Sequence, residues 1–559
     1  MYADTVLLNG KIATVDDRFT IVEALAIKEG RISAADTNEK IKAKIGPETK
    51  VMDLKGKVAL PGACDTHMHA VSTGLVLRPE TLDLKAVRSL AEMRGLLAEA
   101  VKAAKKGEWI FGSGIQEYTI SELIDEGRRL VKGDLDTVTK DNPVAIMGAD
   151  HHTLIVNSKA LEAAEFDSGL RELEPEEGFI GRGAAGKLNG RFAGFGAIGL
   201  MSRHIPVMTD AELEDCVMRM QRLLNSQGIT CHTDMLGAGG NFVMRDTFGE
   251  RPIYVYEKLR REGKLTARVT INYFAAEDGV QRCDSIIKGI KNAGLPELRE
   301  KKWVQVQGVK LFGDTMENWN KEGVGRSMFP GSTETEQITE IEYTVSRLHK
   351  MGYRILTHAI GARMVDVIVG AYVKAQEGYP REDPRHMIIC GDGVGERHMS
   401  DMKKHGIGVS CQPISFPVSS MLRLDAIGEE AFNWQMYSDR GIVLAGGSGY
   451  SSTDWNETSR CPVSWLEGLQ HAVVRDTTRG GVMRGDLGMS LEDGIRMYTT
   501  GAAWQDRAEA WRGSLEPGKV ADIQVLGEDI FKVKKERIGA VPIVMTIVDG
   551  EIVYEGTER

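Results

Sequence analysis

Two histidines separated by a single residue, His67 and His69, are the strongest chemical signal in the sequence. They follow an apolar run that breaks at Pro61 and Gly62 and ends in Asp65-Thr-His-Met-His69. In an extended segment, residues two apart point to the same side, so both imidazoles can face one point. Such a pair can be two hydrogen-bonded core histidines. Its place at the end of an apolar strand, with Asp65 available to orient an imidazole, favours metal ligation.

Two further candidates also stand near the ends of apolar runs. Lys310 lies in the run from Trp303 to Asp314, where a lone ammonium is costly to bury. Such a lysine is neutral, paired, carboxylated to a carbamate that bridges two cations, or extended along the surface with its charge in water. His358 ends the run that begins at Tyr353, and on the same edge of a sheet it would be a third imidazole ligand.

A separate cluster, Asp150-His-His-Thr-Leu-Ile-Val-Asn-Ser158, puts two histidines ahead of a helix start that Asn157 or Ser158 can cap. Its His152 is a candidate to contact the substrate, to stabilise a developing oxyanion, or merely to cap. The run Cys231-His-Thr-Asp234, after another predicted strand, is a weaker candidate.

The elements that must position these residues alternate between strand-like runs and amphipathic helices. The strand-like runs are 304–312, 354–358, 387–390, 407–412 and 441–447. Helical patterns at 339–351 and 361–377 lie between them. Repeated β–α units in one core predict an α/β fold, a (β/α)8 TIM barrel, whose chemistry lies at the carboxyl ends of the strands.

The two chain ends differ from the middle of the chain, because their patterns predict short strands joined by Asn-Gly or Glu-Gly turns. We expect residues 1–58 and 510–559 to pair into one small β-sandwich domain, because domain termini commonly lie close together. Residues 59–509 would form the barrel. Within them, residues 82–205 break the alternation and are predicted to be an inserted α/β subdomain that covers the barrel mouth.

The composition excludes several classes of partner. The chain has 559 residues, of which 42% are hydrophobic, and its formal net charge of -10 argues against nucleic acid or an anionic membrane. No window has the roughly 18 unbroken apolar residues of a membrane span. The amino terminus lacks the build of a signal peptide, so we expect a cytoplasmic protein. The seven cysteines show no CxxC pairing, and their odd number favours reduced thiols.

In order along the chain, these motifs resemble the amidohydrolase superfamily, in the amidohydrolase-3 branch similar to N-substituted formamide deformylases. The matching stretches are Leu60-Pro-Gly-Ala-Cys-Asp-Thr-His-Met-His69, Gly308-Val-Lys-Leu-Phe312, Thr357-His-Ala-Ile-Gly361 and Gly513-Ser-Leu-Glu-Pro-Gly-Lys-Val-Ala-Asp522. The resemblance implies a metal-bearing barrel with a β-sandwich made from both chain ends. It also implies that His67, His69 and His358 bind one or two divalent metal ions, with zinc expected, that Lys310 is the carboxylated bridge, and that His152 polarises the substrate.

Two positions depart from the family pattern. Cys390 stands where the family carries a further histidine ligand, and it could bind as a thiolate because zinc accepts sulfur. Gly449 stands where the family has an aspartate that is both ligand and general base. Asp454 could replace that base, and Asp392 could replace it or contact the substrate. Each of these two is equally typical of a helix cap or a loop turn.

The sequence therefore predicts a metal-dependent amidohydrolase that cleaves a non-peptide C–N bond of a small molecule, in an amide, formamide or cyclic amide, with metal-activated water. The departures at positions 390 and 449 leave two alternatives open. One is lyase, hydratase or isomerase chemistry in the same barrel with a reduced metal site, and the other is a non-catalytic relative that binds a ligand. A homodimer is compatible with the sequence, although no residue requires one.

Overall fold

The structure is a computed structural model of the chain. It describes residues 2–149, 152–166, 173, 177–183, 186–237, 243–275, 280–293, 302–314, 329–331, 333–417, 431–449, 461–477 and 480–556. Asp454, one of the predicted catalytic residues, lies outside the described residues.

Eight parallel strands in chain order form a barrel at the centre of the fold. Barrel strands 1 to 8 are Ala63–Met68, Ile229–Leu236, Arg268–Tyr273, Val304–Phe312, Ile355–Ala359, Met387–Cys390, Gly408–Cys411 and Leu444–Gly446. The ends of strands 8 and 1 meet through hydrogen bonds. The Gly449 N–H donates to the His67 carbonyl at 2.7 Å, and the Ser448 N–H donates to Asp65 Oδ1 at 2.9 Å. The predicted (β/α)8 barrel is confirmed.

Helices connect the strands of the barrel and also occur in the other parts of the chain. The α-helices are Asn38–Lys42, Ala70–Val76, Leu90–Ala103, Ser121–Asp125, Lys132–Asp136, Ser158–Ala163, Phe195–Ser202, Asp210–Ser226, Arg251–Arg261, Cys283–Asn292, Glu334–Lys350, Ala362–Gly378, Glu396–His405, Trp434–Arg440, Trp465–Val474, Leu491–Tyr498 and Thr500–Gln505. Short 3-10 helices lie at Glu117–Thr119, Val243–Asp246, Pro413–Ser415, Gly485–Leu487 and Lys535–Ala540. Within the described ranges, none of the helices has the length and apolar character needed to cross a membrane.

Two further sheets are built from the chain ends, the first from the amino-terminal end alone and the second from both ends. One sheet contains Thr5–Leu8, Ala24–Lys28, Arg31–Asp36 and Lys50–Asp53, and the other contains Lys11–Ala13, Ile21–Val22, Val58–Pro61, Ile523–Leu526, Ile543–Val548 and Glu551–Glu555. In the second sheet, Val58–Pro61 pairs in parallel with Lys11–Ala13 and antiparallel with Ile523–Leu526. The predicted β-sandwich from both chain ends is thus present, and its apolar residues share one core.

The region after barrel strand 1 folds around a sheet of its own. Its strands are Leu82–Asp83, Ile110–Ile115, Val144–Gly148, Thr153–Val156, Phe179–Arg182 and Leu188–Ala193. The helix Leu90–Ala103 packs on this sheet in an apolar core separate from that of the barrel. The predicted inserted α/β subdomain is therefore confirmed, whereas the domain boundaries given above stay predictions.

One cysteine prediction is wrong. Cys64 and Cys231 are paired as a disulfide, whereas five other cysteines are free. The cause is the register of barrel strands 1 and 2, which places the two residues side by side with their Cα atoms 4.7 Å apart. That separation lies within the range that a disulfide requires.

Candidate functional site

His67 and His69 lie together at the carboxyl end of barrel strand 1. Their ring centroids are 5.7 Å apart, and His69 directly precedes the helix Ala70–Val76. His67 is buried, and its Nδ1 has no hydrogen-bond partner among the described residues. Asp65 acts on the backbone here, because its Oδ1 accepts hydrogen bonds from the N–H groups of His67 and Ser448 at 3.2 and 2.9 Å. Strand 1 therefore presents a fixed pair of imidazoles with a ring nitrogen open to a ligand.

Lys310 lies inside the barrel, on strand 4. Its side chain is 0% exposed, and its Nζ has no hydrogen-bond partner among the described residues. The centroid of the Phe312 ring is 4.5 Å from Nζ. Burial lowers the pKa of Lys310 to about 7, although Cys390 and Asp314 oppose the shift. The alternative in which Lys310 extends its charge into water is therefore wrong, and the amine is partly neutral near pH 7.

The imidazoles and Lys310 are near enough to act on each other electrostatically. Burial is the largest cause that moves the pKa of His67 well below its ordinary value, and the positive charges of Lys310, His69 and His358 add to it. His67 is thus held neutral, which is the form in which an imidazole binds a metal.

His358, at the end of barrel strand 5, is oriented by Asp314. Its Nδ1 lies 2.9 Å from the Asp314 carbonyl oxygen and 3.1 Å from Oδ1, so Nδ1 carries the hydrogen. The Asp314 carboxylate is itself fixed by the N–H of Gly361 at 2.8 Å. Burial opposes charge on His358, but Cys390 and Asp314 outweigh burial and raise its pKa to about 9. Cys390 contributes to this shift both as a charge and as a hydrogen-bond partner, so His358 must lose a proton before it can bind a metal.

Cys390 ends barrel strand 6 in a strained backbone conformation. Its φ is +71°, in the left-handed region that residues with a side chain rarely adopt. The side chain is half-buried beside His358. Non-glycine residues held in this region cluster at functional sites, because the surrounding structure must offset their strain. The geometry therefore brings Cys390 to the predicted ligand position, next to a histidine.

Gly449 follows the end of barrel strand 8 and leaves little room for a side chain. Its φ is +65°, and a Cβ built on it would lie 2.8 Å from Gln412 Cγ. The backbone at position 449 therefore favours glycine over a residue with a side chain. A carboxylate placed at this position would need both the loop and Gln412 to move.

We expect Gly449→Asp to lower the free energy of unfolding by about 1–3 kcal/mol, through the left-handed backbone and the contact with Gln412. Gly406→Asp is the matched control, since its φ is +63° and nothing lies within 4 Å of its Cβ position. Chemical denaturation measures both. If the two variants lose equal stability, the contact with Gln412 has no effect; Gln412→Ala in the Gly449→Asp background should recover the difference.

The other predicted residues lie around this centre or away from it. His152 belongs to the insert, directly before the strand Thr153–Val156, and its carbonyl accepts a hydrogen bond from the Gly194 N–H at 2.8 Å. Asp392 is buried and close to Cys411 and Tyr437, where it adds to the effect of burial in raising their pKa values. The roles of His152 and Asp392 as catalytic or substrate-binding residues stay predictions.

Barrel strand 2 contributes a positioning network that the sequence did not identify as such. Asp234 Oδ1 accepts the N–H of Ala70, the residue after His69, at 3.0 Å, and Tyr256 donates its hydroxyl to Asp234 Oδ2 at 3.0 Å. His232 Nε2 lies 3.2 Å from the same hydroxyl. Asp234 thus fixes the backbone beside His69, and burial raises its pKa to about 7.

Asn272, on barrel strand 3, is a further polar residue, and no sequence motif marks it. It pairs in register with Gly308, two residues before Lys310, so its side chain lies one layer below the Lys310 amine. It is buried, and neither atom of its carboxamide has a hydrogen-bond partner among the described residues. A buried carboxamide in this state is available to a molecule that enters the barrel.

Because an unsatisfied buried carboxamide costs about 1–3 kcal/mol, we expect Asn272→Leu to raise the free energy of unfolding by about 1 kcal/mol. Asn225→Leu is the control, because the buried Asn225 amide donates to the carbonyls of Ile229 and Thr266 and its loss should destabilise. Chemical denaturation of the metal-free protein measures both. A destabilised Asn272→Leu variant would mean that the amide has a partner within the fold.

The geometry agrees with the comparison of the chain with known proteins. The model of the amidohydrolase family matches residues 50–554. The chain belongs to the amidohydrolase family. It is 24% identical over 560 residues to the protein YtcJ of Bacillus subtilis (strain 168), with 98% of each chain covered. It is 23% identical over 576 residues to the N-substituted formamide deformylase of Arthrobacter pascens, with 99% of each covered.

A solved amidohydrolase-like fold supports the same architecture. The structure of an uncharacterized metal-dependent hydrolase from Pyrococcus horikoshii OT3 superposes with a TM-score of 0.70 at 22% identity. The superposition covers 95% of this chain and 99% of that chain. At 22% identity, this likeness shows that the two proteins share a fold.

Proposed function

We propose that the protein is a metal-dependent hydrolase that cleaves a non-peptide C–N bond of a small molecule, in an amide, formamide or cyclic amide. One observation carries the proposal: the buried Lys310 amine, with no hydrogen-bond partner among the described residues, lies among His67, His69, His358 and Cys390 at the carboxyl ends of the barrel strands. The carboxyl ends of barrel strands are where this fold places its chemistry.

These residues fit a metal centre. His67 and His69 would form one ligand pair and His358 and Cys390 another, and Lys310 on strand 4, once carboxylated, would be a further ligand for a metal at either pair. Among the described residues, no three histidine, cysteine or carboxylate ligand atoms of this centre come within 4.8 Å of one another. A metal ion bound by either pair would therefore need a further ligand, and Lys310 is the group that we propose for it. Imidazole and thiolate ligands suit zinc.

A divalent cation bound here would polarise the carbonyl of the substrate and activate water. The residues of the chain then have separate tasks. Asp314 holds the His358 imidazole in one orientation, Asp234 fixes the backbone beside His69, and the Asn272 carboxamide hydrogen-bonds the part of the substrate that reaches below Lys310. We propose Asp392 or Asp454 as the group that accepts the proton from water, and His152 as a residue that polarises the substrate.

The substrate class is a proposal that rests on one relative. The chain matches the N-substituted formamide deformylase of Arthrobacter pascens over nearly its whole length, and a small N-substituted formamide is therefore the first substrate to assay. The barrel interior offers Asn272 and the ligand set to such a molecule, whereas the acidic chain offers no attraction to a polyanion.

A second function is favoured by Gly449, which cannot supply the base that family members carry on strand 8. Without that base, the same centre could polarise a carbonyl for a lyase, hydratase or isomerase reaction. Product analysis in ¹⁸O-labelled water separates the two proposals. Hydrolysis puts the label into the carboxylate or formate product and releases an amine. A hydratase puts the label into a hydroxyl group and releases no amine, whereas an isomerase product, or the product of a lyase that does not add water, carries no label.

The first test is elemental analysis of the protein purified without added metal. We expect one or two divalent ions per chain in the native form and a loss of at least about tenfold in His67→Ala. The exposed His204 provides the control, and His204→Ala should keep the ions. A native protein that holds no ion, and takes up none on reconstitution, would overturn the proposed function.

A further inference from the structure

Four buried polar groups form a second cluster at the opposite end of the barrel. Cys64 and Cys231 are at the amino ends of barrel strands 1 and 2 and are only 1% and 3% exposed. Two charged residues that follow the helix Thr500–Gln505, namely Asp506 and Arg512, pack against the two sulfurs and are equally buried. The cluster lies at the far ends of the strands that carry His67 and Asp234, so it is separate from the candidate metal centre.

The two sulfur atoms have different electrostatic surroundings. Arg512 Nη1 lies 2.8 Å from Cys231 Sγ, and Arg512 also forms an ion pair with Asp506. Cys64 Sγ is 4.0 Å from Asp506 Oδ2, and the Thr233 hydroxyl donates to Asp506 Oδ1 at 3.3 Å. A guanidinium beside one sulfur stabilises its thiolate, and a carboxylate near the other keeps it protonated as a donor. A disulfide that was only structural would need neither charge.

We propose that Cys64 and Cys231 are a reversible redox pair, in which Cys231 is the thiolate that reacts with hydrogen peroxide and Cys64 is the thiol that resolves it. The Cys231 thiolate attacks one peroxide oxygen, breaks the O–O bond and becomes a sulfenic acid, and the released hydroxide takes a proton to form water. The Cys64 sulfur then attacks the Cys231 sulfur, and its proton leaves with the hydroxyl group as a second water. In total, two thiols and one peroxide give one disulfide and two waters.

The burial of the pair determines which oxidants reach it. Peroxide is close to water in size and can enter a closed interior, whereas a thiol reagent reaches the pair only when the barrel opens locally. Reduction needs a dithiol, which takes the disulfide back to two thiols by exchange. The disulfide closes a loop with a sequence separation of 167 residues, so the oxidised form should unfold at a temperature about 2–5 °C above the reduced form.

The test begins with protein reduced by dithiothreitol, freed of reductant and treated with hydrogen peroxide. We expect two of the seven thiols to be lost in a thiol count under denaturing conditions, and a Cys64–Cys231 peptide to appear in a non-reducing digest. Arg512→Gln should slow this oxidation about tenfold or more, because the rate follows the thiolate fraction. Arg512→Lys, which keeps the charge, should oxidise at a rate near that of the native protein.

Cys216 and Cys411 are matched controls, because both are as deeply buried as the pair. Burial raises the pKa of Cys216 to about 12 and that of Cys411 well above its usual range. Serine at either position should leave the loss of two thiols unchanged, whereas Cys64→Ser should abolish the cross-link and the shift in unfolding temperature. Survival of all seven thiols, a cross-link through another cysteine, or a tightly bound cation that Cys64→Ser releases would overturn the proposal.

Discussion

Lys310→Ala is expected to lower the affinity for metal by more than about 100-fold. Loss of an outer-shell partner typically costs about 10–100-fold, whereas Lys310 is the group that would join the two ligand pairs. Burial lowers the pKa of this amine to about 7. The amine is therefore increasingly neutral, and open to carboxylation by carbon dioxide, as the pH rises through that value. We expect metal uptake in bicarbonate to increase over the same pH range. Elemental analysis after reconstitution measures both effects.

A short carboxylic acid should replace the missing bridge. Acetate or propionate present during reconstitution is expected to restore metal to Lys310→Ala but not to His67→Ala, because the acid can occupy the space of the carbamate and not that of the imidazole. Lys85→Ala is the control, since Lys85 is another largely buried lysine but lies in the insert. Lys310→Ala with a full complement of metal would remove Lys310 from the centre.

The sequence predicted those parts of the fold that a local pattern records. The runs 304–312 and 387–390 are observed strands with the same bounds, and a glycine, Gly313 or Gly391, directly follows each of them. The helix predicted from residue 339 begins instead at Glu334, since its capping box with Thr333 precedes the first apolar repeat. Capping residues are polar, and a search for apolar periodicity does not include them.

Contacts between segments distant in the sequence could not be predicted from any local sequence pattern. Asp314 orients His358 across 44 residues, and Cys64 pairs with Cys231 across 167. Each contact follows from the register of neighbouring barrel strands, which the tertiary fold sets. The strand-end histidines could be predicted without that register, because the carboxyl ends of parallel strands meet at the same edge. The strained φ of Cys390 could not, since cysteine gives no signal for the left-handed region.

Cys390→Ser is expected to weaken metal binding by about 10–100-fold, with the loss confined to the site that His358 shares. A hydroxyl is a poor substitute for a thiolate as a ligand of zinc or cobalt. The substitution also removes Cys390 as a partner of the His358 imidazole, which keeps Asp314. The cobalt-substituted protein reports on this directly. Native protein should show a thiolate-to-cobalt charge-transfer band in the near ultraviolet, and Cys390→Ser should lose that band while it keeps the ions bound by His67 and His69.

A second cysteine of similar exposure is the control for the cysteine that gives the band. Cys461 is also half-buried, and Cys461→Ser should keep both the band and the metal. Cys390→His, which introduces the ligand that the family resemblance implies, should keep metal without the band, and its backbone cost should be close to that of the native cysteine because both carry a Cβ in the left-handed region. A band that survives in Cys390→Ser would place the thiolate ligand elsewhere, and the mixed histidine–cysteine site proposed for strands 5 and 6 would then be wrong.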